Sequence, residues 1–148
     1  MKKILGVDLG TVRTGLAVSD LSGLLASPVG TLTQRDLDRL SEQVAQSARE
    51  QEAGKIVVGH PRNMDGTRGE SARRAEEFAE KLRTLTGLPV SLWDERMTTV
   101  SAIGILNQTN TRGKKRKAVV HTVAATIILQ DYLDYLRSHR TQEEATGE

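Results

Sequence analysis

The chain has 148 residues, 37% of them hydrophobic and 27% charged, with a formal net charge of +2. That length suits one domain with a real core. No apolar run reaches the roughly 18 residues of a membrane span, the run in "MKKILGVDLG" is too short and too broken by Asp8 for a signal peptide, and without cysteines there is neither a disulfide framework nor a thiolate metal site. The expectation is a cytoplasmic protein with no membrane association, folded over residues 1–137 and ending in a polar, flexible tail over 138–148.

In chain order, "KILGVDL" is a short β-rich run ending in an acid, "TGLAVSD" alternates after a glycine turn, and "LLASPVGTLT" is a third extended segment. Short turns between them predict an antiparallel meander. Leu37, Leu40, Val44 and Ala48 recur at helical spacing, with Gly54 read as the stop. "KIVVGH" is a buried strand ended by Pro61. Ala72, Ala75, Phe78, Ala79, Leu82 and Leu85 form a second helical stripe, closed by Gly87. "PVSLW" is a strand running straight into "DER". A short helix over "TTVSAIGIL", a basic loop "NQTNTRGKKRK" and a last helix from about Ala118 to about Leu136 complete the order. This is an α/β pattern: a mixed five-stranded sheet, three antiparallel strands and then parallel ones, flanked by helices.

Asp8 follows the first strand's apolar run, beside a loop turned by Gly10 and Gly15. A carboxylate there can hold a divalent cation against a phosphate, or simply begin a turn. Glu95 directly follows "VSLW". If both strands are parallel, Asp8 and Glu95 emerge at one sheet edge, where sites of open α/β sheets gather. Two carboxylates meeting there repel unless a cation or a proton neutralises them. The bland alternative is a solvated charge cluster of Asp94, Glu95 and Arg96. "GHPRNMDGTRGESA" leaves a buried strand and can line the same edge, although Asn63, Asp65 and Gly66 are also plain turn formers.

Arg112 to Lys117 carry five basic side chains in six positions, and the only aromatic residues are Phe78, Trp93, Tyr132 and Tyr135. Any nucleic-acid partner would therefore be held mainly through phosphates rather than stacked bases. His121 shares a helical face with Ala124, Ala125, Ile128 and Tyr132, so locally it reads as a core histidine.

Together "GVDLGTVRTGLAVSD", "GHPRNMDGTRGESA", "WDERMTT", the basic loop and "VAATIILQDYLD" resemble the YqgF/RuvX family over roughly residues 3 to 136. The resemblance implies an RNase H-like fold. The family is described as Holliday-junction resolvases and, in bacteria, as nucleases that process the 5′ end of precursor 16S ribosomal RNA. It implies three acidic positions around one or two divalent metals, Mg²⁺ or Mn²⁺. Asp8 and Glu95 match two of them. The third is an Asp in a pattern like "VVDTVAA", where this chain has "VVHTVAA" and His121.

That exchange removes a negative charge and introduces a ligand better suited to transition metals than to Mg²⁺. A place in the helix's first turn would also disfavour a protonated ring. The implied roles are metal binding and catalysis by Asp8, Glu95 and His121. Arg13, Asn63, Arg96, Arg112, Lys114, Lys115, Arg116 and Lys117 would contact structured RNA, within a ribosomal precursor particle, or a DNA junction. Two rivals remain: a non-cutting RNA-binding assembly factor, and an ATP-dependent phosphotransferase. "GVDLGTVRTG" also resembles the first phosphate motif of the sugar kinase, actin and Hsp70-like superfamily, whose members need a second domain.

Overall fold

The computed structural model describes residues 2–62, 65–95 and 113–145, apart from the side chains of 113–119 and 140–145. Strands β1 (Lys3–Asp8), β2 (Arg13–Ser19) and β3 (Ala26–Thr33) form the expected meander. Helix α1 (Leu37–Glu50), β4 (Ala53–His60), α2 (Glu70–Thr86), β5 (Val90–Asp94) and α3 (Gly113–Ala145) follow. The five strands lie in the order β3-β2-β1-β4-β5. β1 pairs antiparallel with β2 and parallel with β4, and β4 pairs parallel with β5. The carboxyl ends of β1, β4 and β5 therefore share one edge.

Local chemistry explains the helix ends. Asp36 caps α1 by accepting from the Arg39 N–H at 3.1 Å. Gly87 closes α2 in the left-handed region, φ 69°, and its N–H donates to the Arg83 carbonyl at 2.9 Å.

The strand pleat, with its period of two, sorts side chains into two cores. Leu5, Val7, Leu16, Ile56, Val58 and Val90 face α1 and α2, meeting Leu40, Val44, Phe78 and Leu82. Ala17, Val57 and Trp93 face α3, meeting Ala125, Ile128, Leu129 and Tyr132. By the same alternation Asp8 falls on the α3 side. α3 is tied to β3 by polar bonds as well: the Ala26 N–H donates to Gln130 Oε1 at 2.9 Å, and the Thr31 and Thr122 hydroxyls stand 2.6 Å apart.

Several sequence expectations change. Gly54 is not a helix stop but lies inside β4; α1 ends at Glu50, and the chain turns through Glu52 at φ 57°. Gly15 is not a turn residue either, since it sits within β2 opposite Asp8. A Cβ there would stand 1.9 Å from the His121 carbonyl oxygen, so Gly15 is what lets α3 approach the sheet. Leu85 belongs to the α2 stripe by spacing but is 46% exposed. α3 starts at Gly113, so the run from Gly113 to Lys117 is helix rather than loop, and it reaches Ala145, through most of the expected tail. Lys and Arg are good helix formers, a propensity that the run of like charges had masked. The expected helix over "TTVSAIGIL" lies outside the described residues.

Candidate active site

Asp8 ends β1, His60 ends β4 and Asp94 ends β5, with Glu95 next in the chain. Because these strands are parallel, Asp8 and Glu95 emerge at one edge, as their positions after apolar runs predict.

The α3 side of that edge is acidic. His121 Nδ1 stands 3.1 Å from Asp8 Oδ2. A carboxylate only accepts, so the ring carries its hydrogen on Nδ1, leaving Nε2 for another partner. Gly15 fixes this contact by seating the α3 backbone at His121. His121 lies eight residues into α3, not in its first turn as expected, and so beyond the reach of the helix N-terminus.

Glu95 completes the group. Burial first, then the negative charges of Asp8 and of Asp94, push its carboxyl up to about 7. Gly59 makes room for it, since a Cβ there would lie 2.9 Å from Glu95 Oε2. Among the described residues no three His, Cys, Asp or Glu side chains are grouped to close on one ion.

The opposite side of the edge, under α2, is basic and was largely missed by sequence reasoning. His60 Nε2 lies 2.7 Å from Glu76 Oε2, and Arg68 donates to the other oxygen of Glu76 at 2.9 Å. Arg62 Nη2 donates to the Gly66 carbonyl at 2.6 Å, and Arg74 Nη2 to the Gly10 carbonyl at 3.2 Å. Arg62 and Arg68 at least lie in the flagged loop. Arg74 had no local signal, because its partner is 64 residues away in sequence. Asp65 keeps its plain reading, accepting from the Thr67 N–H at 3.0 Å.

Of the other expected residues, Arg13 opens β2 at this same edge. Lys114, Lys115, Arg116 and Lys117 occupy the first turns of α3. Asn63, Arg96 and Arg112 lie outside the described residues.

The profile of a family described as RuvX, Holliday junction resolvase, matches residues 2–135. A protein of Lachnospira eligens named "Putative pre-16S rRNA nuclease" is 43% identical over 135 residues, covering 89% of this chain and 96% of its own. A protein of the same name from Desulfitobacterium hafniense is 40% identical over 142 residues, covering 96% and 99%. Among solved structures, Thermus thermophilus RuvC superposes with a TM-score of 0.57 at 12% identity, covering 93% of this chain and 96% of its own. That likeness bears on the fold, which is of the RuvC, RNase H-like type.

Proposed function

The chain belongs to the RuvX family, and from that premise we propose that it is a divalent-metal-dependent endonuclease. It hydrolyses phosphodiester bonds in structured RNA, with the 5′ region of precursor 16S rRNA as its substrate, in the cytoplasm on a ribosomal precursor particle. The names of the relatives support the substrate. The observation that carries the chemistry is the placing of Glu95 within the field of Asp8 at the carboxyl edge of the sheet.

Two carboxylates held together this way are relieved by a cation. The donor set fits Mg²⁺ or Mn²⁺ bound through Asp8 and Glu95, with water and substrate oxygens completing the shell. Once bound, such a cation polarises the scissile phosphate and lowers the pKa of the attacking water.

The remaining roles belong to the chain's own groups. Asp8 and Glu95 would hold the cation, Glu95 as the deprotonated carboxylate. His121 Nδ1–H orients Asp8, as outer hydrogen bonds orient metal ligands. Its Nε2 takes or gives a proton at a reacting oxygen. Arg13, Asn63, Arg96, Arg112, Lys114, Lys115, Arg116 and Lys117 bind backbone phosphates.

The test is cleavage of a precursor rRNA leader, and of a four-way DNA junction, in Mg²⁺ or Mn²⁺. Wild-type protein should cut the RNA. Asp8→Asn should lose on the order of 10³-fold in rate, about 4 kcal/mol of transition-state stabilisation, and still bind. Unchanged cleavage by Asp8→Asn would sink the assignment, and preferential cutting of the junction would move the substrate to DNA. His121→Asp run alongside separates an adapted site from a decayed one: activity only in the variant means decay, and Mn²⁺-supported activity in wild type means adaptation.

A further inference from the structure

Several arginines of this chain answer a carboxylate: Arg68 answers Glu76, Arg83 answers Glu80 and Arg137 answers Asp134. Arg62 and Arg74 do not. Both are half-buried, and neither forms an ion pair among the described residues. Each donates one bond from Nη2 to a main-chain carbonyl, Gly66 for Arg62 and Gly10 for Arg74. In each the Nε–H is buried with no acceptor among the described residues. A guanidinium has five N–H donors, and a withdrawn charge is normally paired. Two arginines lacking an anion in this way is a specific omission.

Their placement says which anion is missing. Arg62 lies two residues beyond the end of β4. Arg74 projects from the second turn of α2 to the carbonyl of Gly10, two residues beyond Asp8. β1 and β4 are parallel neighbours, so both guanidiniums stand at the edge where Asp8 and Glu95 emerge. The carboxylates lie on the α3 side of that edge and the arginines come from the α2 side. A phosphodiester strand with one phosphate at the carboxylates would carry the next across the edge to the arginines. Guanidinium recognises phosphate through two N–H groups at once, and each arginine keeps N–H groups that no acceptor among the described residues takes.

We propose that Arg74 and Arg62 form a phosphate subsite that grips the substrate backbone next to the scissile phosphate and sets which bond lies over Asp8. The proposal rests on the nuclease reading and adds the residues that place the strand. Arg74 does so while also bracing the loop after Asp8, through its bond to Gly10.

The experiment measures affinity for a precursor rRNA leader against salt, in the Asp8→Asn background, where RNA binds without being cut. Arg74→Gln and Arg62→Gln should each lower the salt slope by about 0.7 to 0.9, the loss of one phosphate contact, and the double variant by about twice that. Arg74→Lys keeps the charge and should keep the slope. Arg137→Gln, which removes an exposed, paired cation remote from the edge, should leave it unchanged. With Asp8 restored, Arg74→Gln should raise KM more than it lowers kcat and should spread the cleavage positions. An unchanged slope in both Gln variants overturns the subsite, as does a purely structural result, a lower Tm with wild-type slope and cleavage positions. If the Asp8→Asn parent binds no RNA at any salt, the nuclease reading falls too, which distinguishes the two failures.

Discussion

The two sides of one sheet edge have opposite chemistry. On the α3 side Asp8 meets His121 at 3.1 Å, and burial with the charges of Asp8 and Asp94 raises the proton affinity of Glu95. On the α2 side Arg68 pairs with Glu76, while Arg62 and Arg74 donate to the main-chain carbonyls of Gly66 and Gly10. The same backbone rule produces both. A strand's side chains alternate faces, so Asp8 and Glu95 go one way and His60 the other. A parallel edge can thus hold a cation on one side and a phosphate on the other without the two neutralising each other. On the proposed reading the α3 side stores repulsion that a cation would relieve, and the α2 side stores donors that a phosphate would satisfy.

The sharpest way to break the comparison is to neutralise the stored repulsion. The folded-state pKa of Glu95 is raised from the ordinary 4.5 to about 7. Below 4.5 the carboxyl is protonated in both folded and unfolded chains and contributes nothing. Between 4.5 and 7 the unfolded chain ionises first, so stability falls as pH rises, and it levels off above 7. The full penalty is at most ~3 kcal/mol. Glu95→Gln should remove that slope and be the more stable protein at pH 8, as read by urea melts at pH 5 and pH 8 without divalent ions. Mg²⁺ or Mn²⁺ should stabilise wild type at pH 8 far more than the variant. Parallel pH curves for the two proteins would show that the α3 side stores no such strain.

A second prediction separates the sides by their supports. Gly15→Ala places a Cβ 1.9 Å from the His121 carbonyl oxygen, a clash between backbones that no rotamer relieves. α3 must lift, at a cost of about 2 kcal/mol, and His121 must leave Asp8. Cleavage should fall with Tm, while the drop in salt slope caused by Arg74→Gln should be the same in the Gly15→Ala background as in wild type. A wild-type Tm would mean that α3 does not depend on this glycine for its seat.

How much of this was legible in the sequence depends on the range of each contact. "KILGVD" and "VSLWDE" are apolar runs ending in acids, and strand parallelism followed from the helical crossovers, so Asp8 and Glu95 could be placed together from local pattern. Glycine could not be read so directly, because one residue type serves both turns and close approaches. Gly15 and Gly54 therefore pass for punctuation in the sequence, yet both lie inside strands. The basic run from Gly113 to Lys117 has the pattern of a loop because like charges repel, but it forms the start of α3. His60, Glu76 and Arg74 act through contacts 16 and 64 residues apart in sequence, which no window of local spacing reveals.

The smallest expected effect tests whether the α2 side takes part in the chemistry or only in binding. The carboxylate of Glu76 is held below its usual range by the His60 hydrogen bond and then by Arg68. A depressed acid stabilises the fold at neutral pH and loses that contribution as pH falls through its folded value. Because Glu76 is only partly buried and its ion pairs face solvent on one side, its removal should change the neutral-pH melt little. Glu76→Gln deletes a negative charge from the phosphate-facing rim and releases Arg68. RNA binding should tighten by roughly twofold, with a slightly steeper salt dependence, and the cleavage rate at saturating RNA should not move. A tenfold loss in that rate would give His60 and Glu76 a part in bond breaking. The division between an edge that cuts and an edge that holds would then be wrong.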